Sequence, residues 1–203
     1  MANAKISALT ALTGANVEQT ADSLAIVDAS VTTTKKILVS ELAKALQVLA
    51  TEQASTSGAS ITFSSIPAWV KKITVQFVGV STNGTSNWLI QIGDSGGVEA
   101  TGYLGASTDT TNSTAVTGAN YTTGFGLRLA NASNVMHGSV TLTLEDSANN
   151  TWVASGVLAA SNSATCVLIA GSKALSATLD QVVITTVNGT DAFDAGAINI
   201  LYE

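Results

Sequence analysis

The stretch from Ile66 to Ala106, IPAWVKKITVQFVGVSTNGTSNWLIQIGDSGGVEATGYLGA, constrains the fold of this chain more than any other. From Lys71 to Val80, apolar Ile73, Val75, Phe77 and Val80 stand against polar Lys72, Thr74 and Gln76. A period of two marks a strand with one buried face, because successive side chains of a strand point to opposite sides. The run Trp88 to Ile92 repeats the pattern, with Trp88, Ile90 and Ile92 on one face and Leu89 and Gln91 on the other. Between the two runs lies Ser81 to Ser86, centred on Asn83-Gly84. Both of those residues tolerate positive φ and favour a tight hairpin turn. The expectation is a long antiparallel hairpin at the centre of a β protein.

Further strands are expected at Ile61–Phe63, Gly124–Ala130, Ser139–Glu145, Thr151–Leu158, Ala164–Ala170, Gln181–Val187 and Ala197–Tyr202. Turn residues separate them, and almost no helix is expected after residue 52. Short strands at this spacing predict a mainly β fold, an antiparallel β-sandwich of jelly-roll-like form. Ser107 to Asn120 reads as a long Ser/Thr/Asn loop. The only proline, Pro67, holds Ile66 extended and marks a strand start or a sheet edge.

Residues 1–52 read differently and are expected to form an extended N-terminal segment, with 53–203 as the sandwich. Lys5 to Leu12 alternates weakly, and Asp22–Asp28 and Lys35–Val39 are two short strand candidates. Ser40 then suits a helix cap and Glu41 the positive end of the helix dipole. Leu42, Ala45, Leu46 and Leu49 fall on one stripe of a helix near 40–50. So short a helix is not stable alone in water and must pack on its own domain, a symmetry mate or a host surface. Ile6, Leu9, Leu42, Leu46 and Leu49 are therefore the candidate anchoring or oligomer contacts. Thr51 to Ser60 reads as a polar linker.

Charge narrows the classes of function. Only 11% of the 203 residues are charged, with 46% hydrophobic and a net charge of −6. No run approaches the roughly 20 apolar residues that a spanning helix needs, so no membrane insertion is expected. The polar face is instead Ser, Thr and Asn, which suits a protein that packs against copies of itself or other subunits. Eight Lys and Arg, paired only at Lys35-Lys36 and Lys71-Lys72, argue against nucleic-acid binding. The single Cys166 lies in an apolar run and is expected to be a small buried side chain. No apolar leader opens the chain, so it is expected to be made in a cytoplasm.

Chemical motifs are few. Gly93-Asp94-Ser95-Gly96-Gly97 matches the nucleophile loop of chymotrypsin-like proteases. That mechanism needs a histidine base, which in those proteases precedes the serine, and the only histidine here is His137, far downstream. A lone histidine makes no zinc site either. Asp191 and Asp194 share a loop, but two carboxylates are too few for calcium. With no phosphate loop or dinucleotide fingerprint, neither catalysis nor a cofactor or metal is expected. Trp88 and Trp152 alternate with apolar residues and are expected in the core or an interface. Tyr121, in the polar loop, is the best candidate for an exposed surface-recognition residue.

The N-terminal residues KISALTAL, DSLAIVD and TTTKKILVSEL, within Lys5 to Leu42, resemble the N-terminal segment of tailed-bacteriophage fibre and virion accessory proteins. Ile66 to Gly105 also resembles the C-terminal β domains of phage structural proteins. The resemblance implies a homotrimer that attaches through its N-terminus to a phage capsid or tail protein and displays a β-rich head at the virion surface. It implies a non-enzymatic capsid decoration or head fibre protein; the alternative is a tail fibre protein binding a host-surface glycan or receptor. The absence of a long shaft favours the compact decoration or head fibre form.

Overall fold

A computed structural model describes residues 23–28, 33–39, 46–111, 116–129 and 131–203. The chain divides into two compact units, Met1–Val48 and Leu49–Glu203. In the first, β1 (Ser23–Asp28) and β2 (Thr33–Leu38) pair antiparallel, Ser23 opposite Leu38 and Asp28 opposite Thr33. Two strands were expected here from the sequence.

The predicted helix near 40–50 does not extend through its last turn. Leu46 and Gln47 form a turn and bend, and Val48–Leu49 is a strand, β3. The N–H of the next residue, Ala50, donates to Ile200 O at 2.9 Å. A sheet edge offers backbone partners that a four-residue apolar stripe cannot match. Ser40, Leu42 and Ala45, like Ile6 and Leu9, lie outside the described residues.

The second unit is an antiparallel β-sandwich. Its strands are β4 (Gln53–Ala54), β5 (Ser60–Phe63), β6 (Lys72–Thr82), β7 (Trp88–Asp94), β8 (Gly97–Val98), β9 (Leu104–Thr110), β10 (Val116–Tyr121), β11 (Phe125–Leu127), β12 (Met136–Asp146), β13 (Thr151–Ala160), β14 (Cys166–Ala174), β15 (Gln181–Thr186) and β16 (Phe193–Tyr202). The larger sheet has nine strands in the order β10-β9-β14-β13-β12-β6-β16-β3, with β4 also on β16. The smaller has five, β11-β7-β15-β5, with β8 on β7. These unequal sheets replace the two of about four strands that a simple jelly roll would have.

The core lies between the sheets. Ile73, Val75 and Phe77 of β6, Val140 and Leu142 of β12, and Ile198 and Ile200 of β16 face Trp88, Ile90 and Ile92 of β7 and Val182 and Ile184 of β15. Phe77 stacks on Trp88 at 6.1 Å between ring centres, and Trp88 meets Phe193 at 5.7 Å. Each such buried side chain contributes about 1.5–3 kcal/mol, so the alternation in β6 and β7 is what closes the two layers.

The central hairpin is not formed. β6 lies in the larger sheet and β7 in the smaller, so the two strands face each other across the core and are not hydrogen-bonded neighbours. The Asn83-Gly84 turn is an arch between layers. It is held by the loop between β15 and β16: Asn83 N–H donates to Ala192 O and Ala192 N–H to Asn83 Oδ1, both at 2.9 Å. Gly84 is required because a Cβ there would stand 1.9 Å from an Asp191 carboxylate oxygen.

Three other expectations are corrected. The polar loop Ser107–Asn120 is largely the hairpin of β9 and β10, with Ser107 opposite Ala119 and Thr110 opposite Val116. Thr-rich sequence suits strands even without apolar alternation. The linker Thr51–Ser60 contains β4 and the fully buried Ser55, whose N–H and hydroxyl donate to Gly196 O and Ala195 O. Cys166 is exposed, because Val167 and Ile169 take the inward positions of β14.

Candidate interaction surface

The charges on β10, β9, β14 and β13 run against the usual polarity of a sheet. These four neighbouring strands carry two charged residues, Asp109 and Lys173. Both point into the sandwich, 4% and 6% exposed. An antiparallel sheet normally turns its apolar residues inward and its charges to water.

Each inward charge has a built environment. Asp109 accepts from Arg128 Nε at 2.5 Å and from the Thr117 hydroxyl. Burial pushes the Asp109 carboxyl up, but the hydrogen bonds from Thr117 and Arg128 outweigh it and hold the group below the usual carboxylate range. Lys173 pairs with Glu99, donates to Ala174 O at 2.6 Å and sits 5.7 Å over the Tyr103 ring. Burial likewise pushes Glu99 up, while Lys173 and the Ser176 N–H (2.7 Å) bring it below its usual range. The Tyr103 hydroxyl accepts from Ile92 N–H at 2.8 Å, and burial pushes its pKa up. These groups tie β7, β9 and β14 together.

The outer positions of the same strands are uncharged. β14 turns Cys166, Leu168, Ala170 and Ser172 outward; β13 turns Val153, Ser155 and Val157; β9 turns Leu104, Ala106 and Thr108. Register aligns them in rows: Thr108, Leu168 and Val157 in one, Ala106, Ala170 and Ser155 in the next, Leu104, Ser172 and Val153 in a third. Leu104 is 72% exposed, Val116 67%, Val157 50% and Leu168 47%. The first two rows continue uncharged through Ser139, Gln76 and Asn199, and through Thr141, Thr74 and Leu201. Sequence reasoning missed this face. The signal was there: the run Ala164–Ala170 is apolar at both parities, which is what a strand covered on both sides requires.

The residues singled out in the sequence do not assemble. Ser95 is exposed on the turn between β7 and β8, in the smaller sheet. The carboxyl before it is spoken for: Asp94 accepts from Ser176 Oγ at 2.6 Å and Gly96 N–H at 2.7 Å, which hold it below the usual range. His137 lies on β12 in the larger sheet, where its Nδ1 accepts from Gly79 N–H at 3.2 Å. Asp191 accepts from Asn188 Nδ2 (2.6 Å) and Ser86 N–H (2.9 Å), while Asp194 accepts from the Ser81 hydroxyl. Among the described residues, no group of three or more His, Cys, Asp or Glu is placed to hold a metal, and no helix is long and apolar enough to cross a membrane.

Tyr121 is a correction: it is 7% exposed, not a surface-recognition residue. Its ring packs on Gly126, where a Cβ would stand 2.1 Å from the ring carbons. It ends β10 and faces inward like its neighbours in the core. Of the candidate anchoring residues, Leu46 and Leu49 are exposed, and the others lie outside the described residues. Trp88 and Trp152 are buried in the core, while Trp69 is exposed beside Tyr202, 6.0 Å between ring centres. Comparison with protein-family models, with curated proteins and with solved structures gives no match for this chain.

Proposed function

We propose that this chain is a non-enzymatic structural protein of a tailed-bacteriophage virion, in the form of a capsid decoration or head fibre protein. In this reading it is made in the host cytoplasm, its N-terminal segment attaches to a capsid or tail protein, and the sandwich is displayed on the particle. The observation that carries the reading is the β10-β9-β14-β13 part of the larger sheet, which turns Asp109 and Lys173 inward and presents an uncharged face suited to burial against other subunits. The resemblance of Lys5–Leu42 to phage virion accessory proteins supports the same role. The test is electron microscopy of virions labelled with gold-conjugated antibody against residues 53–203. Gold on the head is expected, and unlabelled intact virions would overturn the proposal.

A second reading, a tail fibre protein that binds a host-surface glycan, draws on a different place. A groove of about 240 Å³ is lined by Gln53, Thr62, Ser64, Ser65 and Tyr202, and the exposed Trp69 ring lies 6.0 Å from that of Tyr202. Aromatic faces beside neutral hydroxyl and amide groups suit a sugar ring. Ser65 holds a φ of 60°, a conformation that costs free energy in a residue other than glycine. Gold at the tail, together with glycan-array binding lost in Trp69→Ala, would favour this reading over the first.

A further inference from the structure

We infer that the outer face of β9, β14 and β13 packs against the same face of a second copy of this chain. The inference rests on the reading of that face as a buried surface and names its occupant.

Charge selects the occupant. The chain has a net charge of −6, yet the rows through Leu168 and Ala170 hold no Asp, Glu, Lys or Arg from β9 to β16. A partner bringing charges would bury them with nothing to pair, at a cost of several kcal/mol each. A second copy brings an equally uncharged face, and the like charges of the two molecules stay on other surfaces.

Size and relief agree. Seven strands from β10 to β16 span about 34 Å at their usual spacing; the uncharged outer rows run about 20 Å along the first four and about 13 Å along the last three, where the third row meets Lys72. That is on the order of 550 Å² per copy, so a pair buries about 1,100 Å², at the low end for a specific interface, where weak and reversible contacts lie. The rows also alternate in bulk: Leu168 and Val157 stand beside the small row of Ala106, Ala170 and Ser155. Two such faces interdigitate, large side chains of one copy over the small row of the other, as the inner faces of stacked sheets do. Cys166, at one end of β14, lies on the covered face and serves as a reporter.

The experiment is sedimentation velocity of the full chain over a concentration series, with Leu168→Lys, Val157→Lys and, as a control on the exposed Val187, Val187→Lys. Circular dichroism checks that each variant is folded; with two lysine variants, one folded variant is enough for the test. The wild type and the Val187 variant are expected to self-associate, and the face variants to weaken association at least about 100-fold. Labelling of Cys166 by a bulky maleimide is expected to slow as the wild type associates. A wild type that stays monomeric at about 100 μM would overturn the inference. So would face variants that associate like the wild type, which would place the contact elsewhere, the N-terminal segment included. Gold on virions with no association through this face removes the inference and leaves the proposed function; association with unlabelled virions does the reverse.

Discussion

The residues that decide most in this protein are the few charged ones that are buried. Lys173 closes an apolar run and gives no sign in the sequence that it points inward, yet it holds Glu99 and covers Tyr103. Removing one partner of a buried pair strands the other, so Lys173→Ala is expected to cost about 3 kcal/mol in urea unfolding at neutral pH. The pH dependence follows from Glu99 and Asp109, both held below the usual carboxylate range in the folded protein. The unfolded chain then binds protons more readily as pH falls. Stability is therefore full above the ordinary carboxylate range and is lost as pH falls through it toward the lowered folded values. Glu99→Gln is expected to flatten this decline, measured as the urea midpoint against pH. Gly84 makes the opposite point about legibility. The Asn-Gly signal marked a turn correctly, but the glycine is there for the close approach of Asp191, and Gly84→Ala is expected to cost about 1–3 kcal/mol in the same assay.

At the scale of elements, alternation identified strands well where one face was apolar and failed where it was not. β6 shows both. Its apolar positions skip from Phe77 to Val80, an irregularity visible in the sequence that is a bulge at Gly79, whose φ is 67°. Gly196 of β16 crosses this bulge with a φ of 88°, and a Cβ there would lie 2.4 Å from the Gly79 backbone. Gly196→Ala is therefore expected to destabilise by more than about 2 kcal/mol, read by thermal unfolding. β9 and β10 were read as loop because Ser, Thr and Asn dominate them. What holds them is Asp109 with Thr117 and Arg128, so Asp109→Ala is expected to loosen this hairpin first, seen as faster amide hydrogen exchange in Leu104–Tyr121 than in β6.

On the scale of the whole molecule, the buried cluster that closes the sandwich runs, among the described residues, from Ile61 to Ile200, within Leu49–Glu203. A fragment of residues 49–203 is therefore expected to unfold cooperatively, within a few degrees of the full chain by calorimetry, and under the proposed function it is expected to fail to join virions. Loss of its cooperative transition would show that the sandwich depends on the N-terminal unit. The candidate surface is a property of this scale alone. It depends on strands distant in sequence that the topology sets side by side, β9 beside β14 and β12 beside β6.

By itself the sequence determined that this is a mainly β, antiparallel protein with Ile73, Val75, Phe77 and Val80 on one face of β6 and Trp88, Ile90 and Ile92 on one face of β7. Local periodicity and turn chemistry suffice for that, since a strand's two faces are written residue by residue. Only the tertiary structure decided that Trp88 faces Phe77 across two layers, that Tyr121 and Ser55 are buried, and that Cys166 and Leu168 are on the outside. Where both parities of a strand are apolar, or both polar, local pattern cannot choose which side meets the core. The choice falls to long-range partners: Arg128 for Asp109, Glu99 for Lys173, and the opposite sheet for the rest.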